Sequence, residues 1–131
     1  MSTKKTNKHD ESDLQQACVK WFDLQYPKYS QQLFAIPNGG KRDIVTATIL
    51  NREGVRKGVF DMLFAKKSNH TKAPHLSFPY SGMYIEFKTK IGKLTHEQKE
   101  FKEKVETEDY LCVIVRSFDE FMKVVKDYLN S

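Results

Sequence analysis

The run Leu111-Cys112-Val113-Ile114-Val115 places five apolar residues together, with β-branched side chains prominent among them. Such a run reads as a strand of the fully buried type, which needs cover on both faces of its sheet. The flanking sequence supplies that cover. Thr95 is followed three residues on by Gln98, and Ser117 by Glu120, each the pattern of a capping box at a helix start. The first opens a helix with Phe101 and Val105 inward. The second opens an amphipathic helix through Phe121, Val124, Val125, Tyr128 and Leu129.

The remainder of the chain fits around this unit. Leu14, Ala17, Cys18, Trp21 and Phe22 recur at helical steps and predict a helix from Glu11 to about Gln25, which Pro27 ends. Leu33 to Ile36 reads as a short strand closed by the loop signal Pro37-Asn38-Gly39-Gly40. Asp43 is placed to cap a helix through Ile44, Ala47, Thr48, Ile49 and Leu50. Val59–Phe64 and Met83–Lys88 read as strands, separated by a long connection over Lys66–Gly82. The predicted order is α-β-α-β-β-α-β-α, an α/β fold with a mixed sheet flanked by helices.

At 131 residues this is one domain, expected over residues 11–131, with residues 1–10 a polar, flexible lead-in. No apolar run approaches the roughly 18–20 residues of a membrane span, and no signal-peptide core is present, so a cytoplasmic location without membrane contact is expected. The net charge of +5 suits a polyanionic partner without requiring one. Cys18 and Cys112 lie within apolar patterns and read as buried reduced thiols. His9, His70, His75 and His96 lack metal-ligand spacing and read as surface residues.

The chemistry is concentrated in Ile85-Glu86-Phe87-Lys88. Alternation along a strand points Glu86 and Lys88 one way and Ile85 and Phe87 the other. Asp61 sits amid Val59, Phe60, Met62, Leu63 and Phe64, where a carboxylate must be paired, hydrogen-bonded or bound to a metal. If neighbouring strands bring Asp61 and Glu86 together, a hard divalent cation is the natural relief for their repulsion, and Lys88 can act on a water or a phosphate. The same residues also fit a plain ion pair, Asp61–Lys88 or Glu86–Lys88, on a half-exposed face.

Glu11 falls on the apolar face of its helix, either as a favourable charge at the first turn or as a third carboxylate aimed at that site. Gly54-Val55-Arg56-Lys57-Gly58 and Asn38-Gly39-Gly40-Lys41-Arg42 are basic, glycine-containing loops. They suit a phosphate backbone, though a tight helix-to-strand turn explains the first of them too.

In order along the chain, Glu11, Ile36–Arg42, Gly54–Asp61, Ile85–Lys88 and Gly92–Gln98 together resemble the VRR-NUC (virus-type replication-repair nuclease) family of the PD-(D/E)xK nucleases. The resemblance covers nearly all of residues 11 to 129 and is closest to stand-alone, phage-type members. It implies a restriction-endonuclease-like core. Asp61, Glu86 and the backbone carbonyl of Phe87 would be metal ligands, Lys88 the catalytic lysine, Glu11 a supporting or second-metal carboxylate, and Gln98 a further site residue. Asn38, Gly39, Lys41, Arg42, Arg56, Lys57, Lys90 and Lys93 would face DNA. Phe60 stands where the family commonly has proline before the aspartate.

The implied activity is Mg²⁺-dependent hydrolysis of DNA phosphodiesters, with Mn²⁺ also accepted, by a homodimer acting on branched DNA such as a four-way (Holliday) junction. A flap, nick or general DNA nuclease of the same chemistry, and a non-catalytic nucleic-acid-binding module, are the competing readings.

Overall fold

The computed structural model describes residues 8–37, 43–68 and 79–130. Along the chain run α1 (Lys8–Gln25), a 3₁₀ segment (Pro27–Gln32), β1 (Leu33–Ala35), α2 (Ile44–Arg52), β2 (Met62–Phe64), β3 (Gly82–Phe87), α3 (His96–Glu106), β4 (Tyr110–Val115) and α4 (Phe118–Asn130). Apart from the 3₁₀ segment, this is the element order read from the sequence. Helix α1 starts at Lys8, three residues ahead of the Glu11 start that the apolar spacing marks.

The helix starts are chemically explicit. Asp43 caps α2 by accepting the Thr46 N–H at 2.7 Å. Thr95 and Gln98 close a complete capping box on α3. At α4 the Ser117 hydroxyl accepts the Glu120 N–H at 3.1 Å, while the Glu120 carboxylate reaches one residue further back, to the Arg116 N–H. Helix α2 ends in a Schellman motif: Gly54 N–H donates to Asn51 O, and Val55 N–H to Leu50 O. The positive φ of 103° at Gly54 makes that ending possible.

The sheet order is β1-β2-β3-β4, antiparallel at the first two junctions and parallel between β3 and β4. The parallel pair takes its crossover through α3. Met83, Ile85 and Phe87 of β3, with Met62 and Phe64 of β2, turn to the face covered by α1 and α4, where Cys18, Phe22, Phe121, Val125 and Tyr128 complete the core. The opposite face carries Tyr84 and Glu86 and is covered by α3, whose Phe101 packs edge-on against Tyr84.

Two strand expectations change. Strand β4 is the sheet edge: only Val115 is fully buried and Tyr110–Ile114 are half-buried, so it is not the fully buried strand that its apolar run suggests. Pairing on one side only leaves its outer margin to solvent. Strand β2 is three residues long, because Val59, Phe60 and Asp61 leave the ladder with β3. At Asp61, side chains replace the backbone pairing. The Asp61 N–H donates to Glu86 Oε1 at 3.1 Å, and the Phe87 N–H donates to Asp61 Oδ2 at 2.8 Å.

The ends of the long connection are tied together. Ser68 N–H donates to Tyr80 O at 3.1 Å, and Tyr80 N–H donates to the Ser68 hydroxyl at 2.8 Å. Cys18 is buried and Cys112 half-buried, both as free thiols. Among the described residues no helix is long and apolar enough to cross a membrane.

Candidate active site

Where β2 parts from β3, the sheet opens into a fork, and Asp61 and Glu86 stand on its two prongs. By the alternation of β3, Glu86 points to the α3 face, away from Ile85 and Phe87. Glu86 is 4% exposed, one of two buried polar residues among those described. Four groups converge on it. Its Oε1 accepts the Asp61 N–H, and its Oε2 accepts Gln98 Nε2 at 2.8 Å and faces Lys88 Nζ at 3.5 Å. The Asp61 carboxylate is the fourth neighbour.

Electrostatics sharpen this arrangement. Burial, and next the charge of Asp61, push the Glu86 carboxyl up to about 7, against the smaller opposing effects of Lys88 and Gln98. A carboxyl raised first by burial and then by a neighbouring carboxylate is the kind of perturbed group found at functional sites. The Glu86–Lys88 ion pair read from spacing is therefore present, and it does not exhaust the site.

Gln98 makes two contacts at once. Its Oε1 accepts the Thr95 N–H at 2.9 Å, completing the cap, and its Nε2 holds Glu86. The capping box thereby fixes the rotamer that reaches the buried carboxylate.

Gly58 explains how the basic turn before Asp61 is placed. Its φ is +92°, and a Cβ there would lie 2.6 Å from the Glu97 carbonyl oxygen, so the turn packs directly on the start of α3. Arg56 and Lys57 are exposed there, with Lys57 3.7 Å from Glu97 across an open surface. Lys90 and Lys93 are likewise exposed, in the segment that follows Lys88. Asn38, Gly39, Lys41 and Arg42 lie outside the described residues.

Glu11 is half-buried in the first turn of α1, on the helix face that also carries Leu14, Cys18 and Phe22. That helix packs on the sheet face opposite Glu86, with the Phe22 ring 5.3 Å from Phe64. Among the described residues, no three His, Cys, Asp or Glu side chains gather in an arrangement able to hold a metal ion.

Arg116, which no local motif marks, is also at this end of the sheet. It follows the last residue of β4 and binds the segment after Lys88. The one signal in the sequence is a cation directly between a buried strand and a capping serine.

No family model and no curated protein matches the chain. A solved structure described as a VRR_NUC domain protein does, with a TM-score of 0.74 at 22% identity, over 98% of this chain and 92% of that one. Likeness at that identity concerns the course of the backbone, and it extends across both the fork and the helices that frame it. The chain has the fold of a VRR_NUC domain protein, the restriction-endonuclease-like fold that its motifs resemble.

Proposed function

We propose that this protein is a metal-dependent endodeoxyribonuclease whose centre is Asp61, Glu86 and Lys88. The observation that carries this reading is the buried Glu86 carboxylate, tied to Asp61 by hydrogen bonds in both directions between side chain and backbone, with Lys88 Nζ 3.5 Å away. Two crowded carboxylates are the donor set that a hard divalent cation relieves, and Mg²⁺, which keeps several waters, needs few protein ligands. Asp61 and Glu86, with the backbone carbonyl of Phe87, would hold Mg²⁺ or Mn²⁺. The ion would polarise a phosphate and lower the pKa of a bound water.

The chain's own groups have distinct tasks. Lys88 places a cation at the mouth of the fork, where it can stabilise negative charge developing on a phosphate. Gln98 holds Glu86 so that its carboxylate stays beside Asp61. Glu11, at the start of α1, would support or complete a second metal position. Arg56, Lys57, Lys90 and Lys93, together with the loop bearing Asn38, Gly39, Lys41 and Arg42, would grip the DNA backbone without reading bases.

A four-way junction is the proposed substrate, cut by a homodimer. Ile44, Val45 and Ile49 are exposed apolar residues of α2, and Ile44 is 85% exposed. That surface suits burial against a second copy.

Incubating labelled four-way junction, flap and linear duplex with Mg²⁺ or EDTA tests the proposal directly. Paired, Mg²⁺-dependent cuts in the junction are the expected result. Equal cutting of all three substrates removes the junction preference and leaves a general nuclease. Binding without cleavage under any metal would instead favour a nucleic-acid-binding module, in which the Lys88–Glu86 pair is structural.

A further inference from the structure

The two side chains that touch Glu86 Oε2, those of Lys88 and Gln98, hang from opposite ends of one segment, residues 88 to 98. Their meeting at a single oxygen depends on how that segment turns back. Its first turn is held from outside. Phe87 pairs with Val115, and Lys88 N–H donates to Val115 O at 3.0 Å, so Arg116 lies abreast of Lys88 where the parallel strands end. From there Arg116 Nη1 donates to Thr89 O at 2.6 Å and Gly92 O at 2.7 Å, with Lys90 O at 3.5 Å.

Arg116 is itself anchored, since its backbone N–H donates to the Glu120 carboxylate in the capping network of α4. Among the described residues, the partners of its guanidinium are the carbonyls of one turn and no acidic side chain. A guanidinium spent on backbone carbonyls fixes chain geometry. Gly92 adds a close fit: a Cβ there would lie 3.4 Å from Lys88 Cδ, so the turn also walls in the lysine's stem.

We infer that Arg116 is a positioning residue, clamping the 89–92 turn so that Lys88 and Gln98 meet at Glu86. Its catalytic consequence rests on the nuclease reading above; its effect on Gln98 does not. A purely stabilising Arg116 would leave the Gln98–Glu86 contact unchanged in any variant that folds. A phosphate-binding Arg116 would change DNA affinity and leave the chemical step alone.

Arg116→Gln and Arg116→Lys separate these cases. The first measurement is the Gln98 side-chain amide signal in a nitrogen–proton NMR spectrum of the metal-free full chain, at a temperature where both variants remain folded. In Arg116→Gln this signal should move toward the position of a solvated glutamine, with Arg116→Lys intermediate. The second is single-turnover cleavage of the junction beside its Kd measured in EDTA. Arg116→Gln should slow cleavage by about 10- to 100-fold, as expected for small misplacements of reacting groups, with Kd within about twofold.

An unmoved Gln98 signal in folded Arg116→Gln overturns the inference, whether or not the wild type cuts DNA. A moved signal in a protein that cuts nothing supports the clamp and sinks the nuclease reading alone. Weakened binding at an unchanged cleavage rate makes Arg116 a phosphate contact and overturns its positioning role.

Discussion

Asp61 and Glu86 hold one another through the backbone: Glu86 Oε1 accepts the N–H of Asp61, and Asp61 Oδ2 accepts the N–H of Phe87, next to Glu86. The contact is structural and electrostatic at once, and substitutions can separate the two. Asp61→Asn keeps an oxygen for the Phe87 N–H and loses the charge, so it should fold normally while cleavage falls roughly 100-fold or more. Asp61→Ala strands that N–H as well and should lose a further ~1–3 kcal/mol of stability, read by urea unfolding. Equal cleavage by Asp61→Asn and wild type would remove Asp61 from the site.

The raised Glu86 carboxyl gives the metal-free protein a defined pH dependence. Its folded value of about 7 lies above the ordinary 4.5, so the unfolded chain ionises first as pH rises. The stability that Glu86 contributes is therefore complete below about 4.5, declines as pH rises, and is lost above about 7. A shift of this size corresponds to at most about 3 kcal/mol. Unfolding of wild type and Glu86→Gln in EDTA, from pH 5 to pH 8, should diverge by an amount of that order. Parallel curves would mean that Glu86 titrates normally.

Mg²⁺ should reverse that trend at pH 8. An ion that binds only the folded, ionised site stabilises by mass action, so the melting temperature should rise with Mg²⁺ concentration. The rise should vanish in both Asp61→Asn and Glu86→Gln. An unchanged rise in either variant would place the ion elsewhere.

Gly54 and Gly58 both have positive φ, yet they should respond differently to alanine. At Gly54 a Cβ meets nothing within 4 Å, leaving only the backbone penalty of about 1 kcal/mol. At Gly58 the Cβ would fall 2.6 Å from the Glu97 carbonyl, which α3 cannot yield cheaply. Gly58→Ala should therefore cost clearly more, about 2 kcal/mol or above, by urea unfolding.

The exposed apolar residues of α2 should reveal themselves as association. Ile44→Lys alters an exposed residue and should leave monomer stability within about 0.5 kcal/mol. If α2 joins two copies, the same change should shift sedimentation from dimer to monomer. A wild type that stays monomeric at all accessible concentrations would end that reading.

Much of this was legible because its causes are local. Asp43, Thr95 with Gln98, and Ser117 with Glu120 mark helix starts within four residues of themselves; the first two cap as their spacing implies, while at α4 only the Ser117 half of the box forms and Glu120 takes the Arg116 N–H instead. The opposite orientations of Glu86 and Ile85 follow from alternation alone. What escaped depends on partners distant in the chain. The β4 run looks fully buried because five apolar residues carry no information about being at an edge. Val59–Asp61 looks like strand because nothing local says that carboxylates will take over the pairing. Arg116 is anonymous in the sequence because its partners are carbonyls, which every residue possesses.

Met83, Ile85 and Phe87 are each fully buried on the side of β3 that faces away from Glu86. A slip of one residue in the pairing of β3 would turn all three out of this core toward the α3 face and thrust Glu86 into it. At about 1.5–3 kcal/mol for each large apolar side chain, the slipped arrangement is thermodynamically remote. The reactive groups consequently need no dedicated device to choose their side of the sheet. Proofreading of their handedness is delegated to greasy residues that never meet a substrate, and core substitutions that loosen register should erode fidelity of assembly before they unfold the domain.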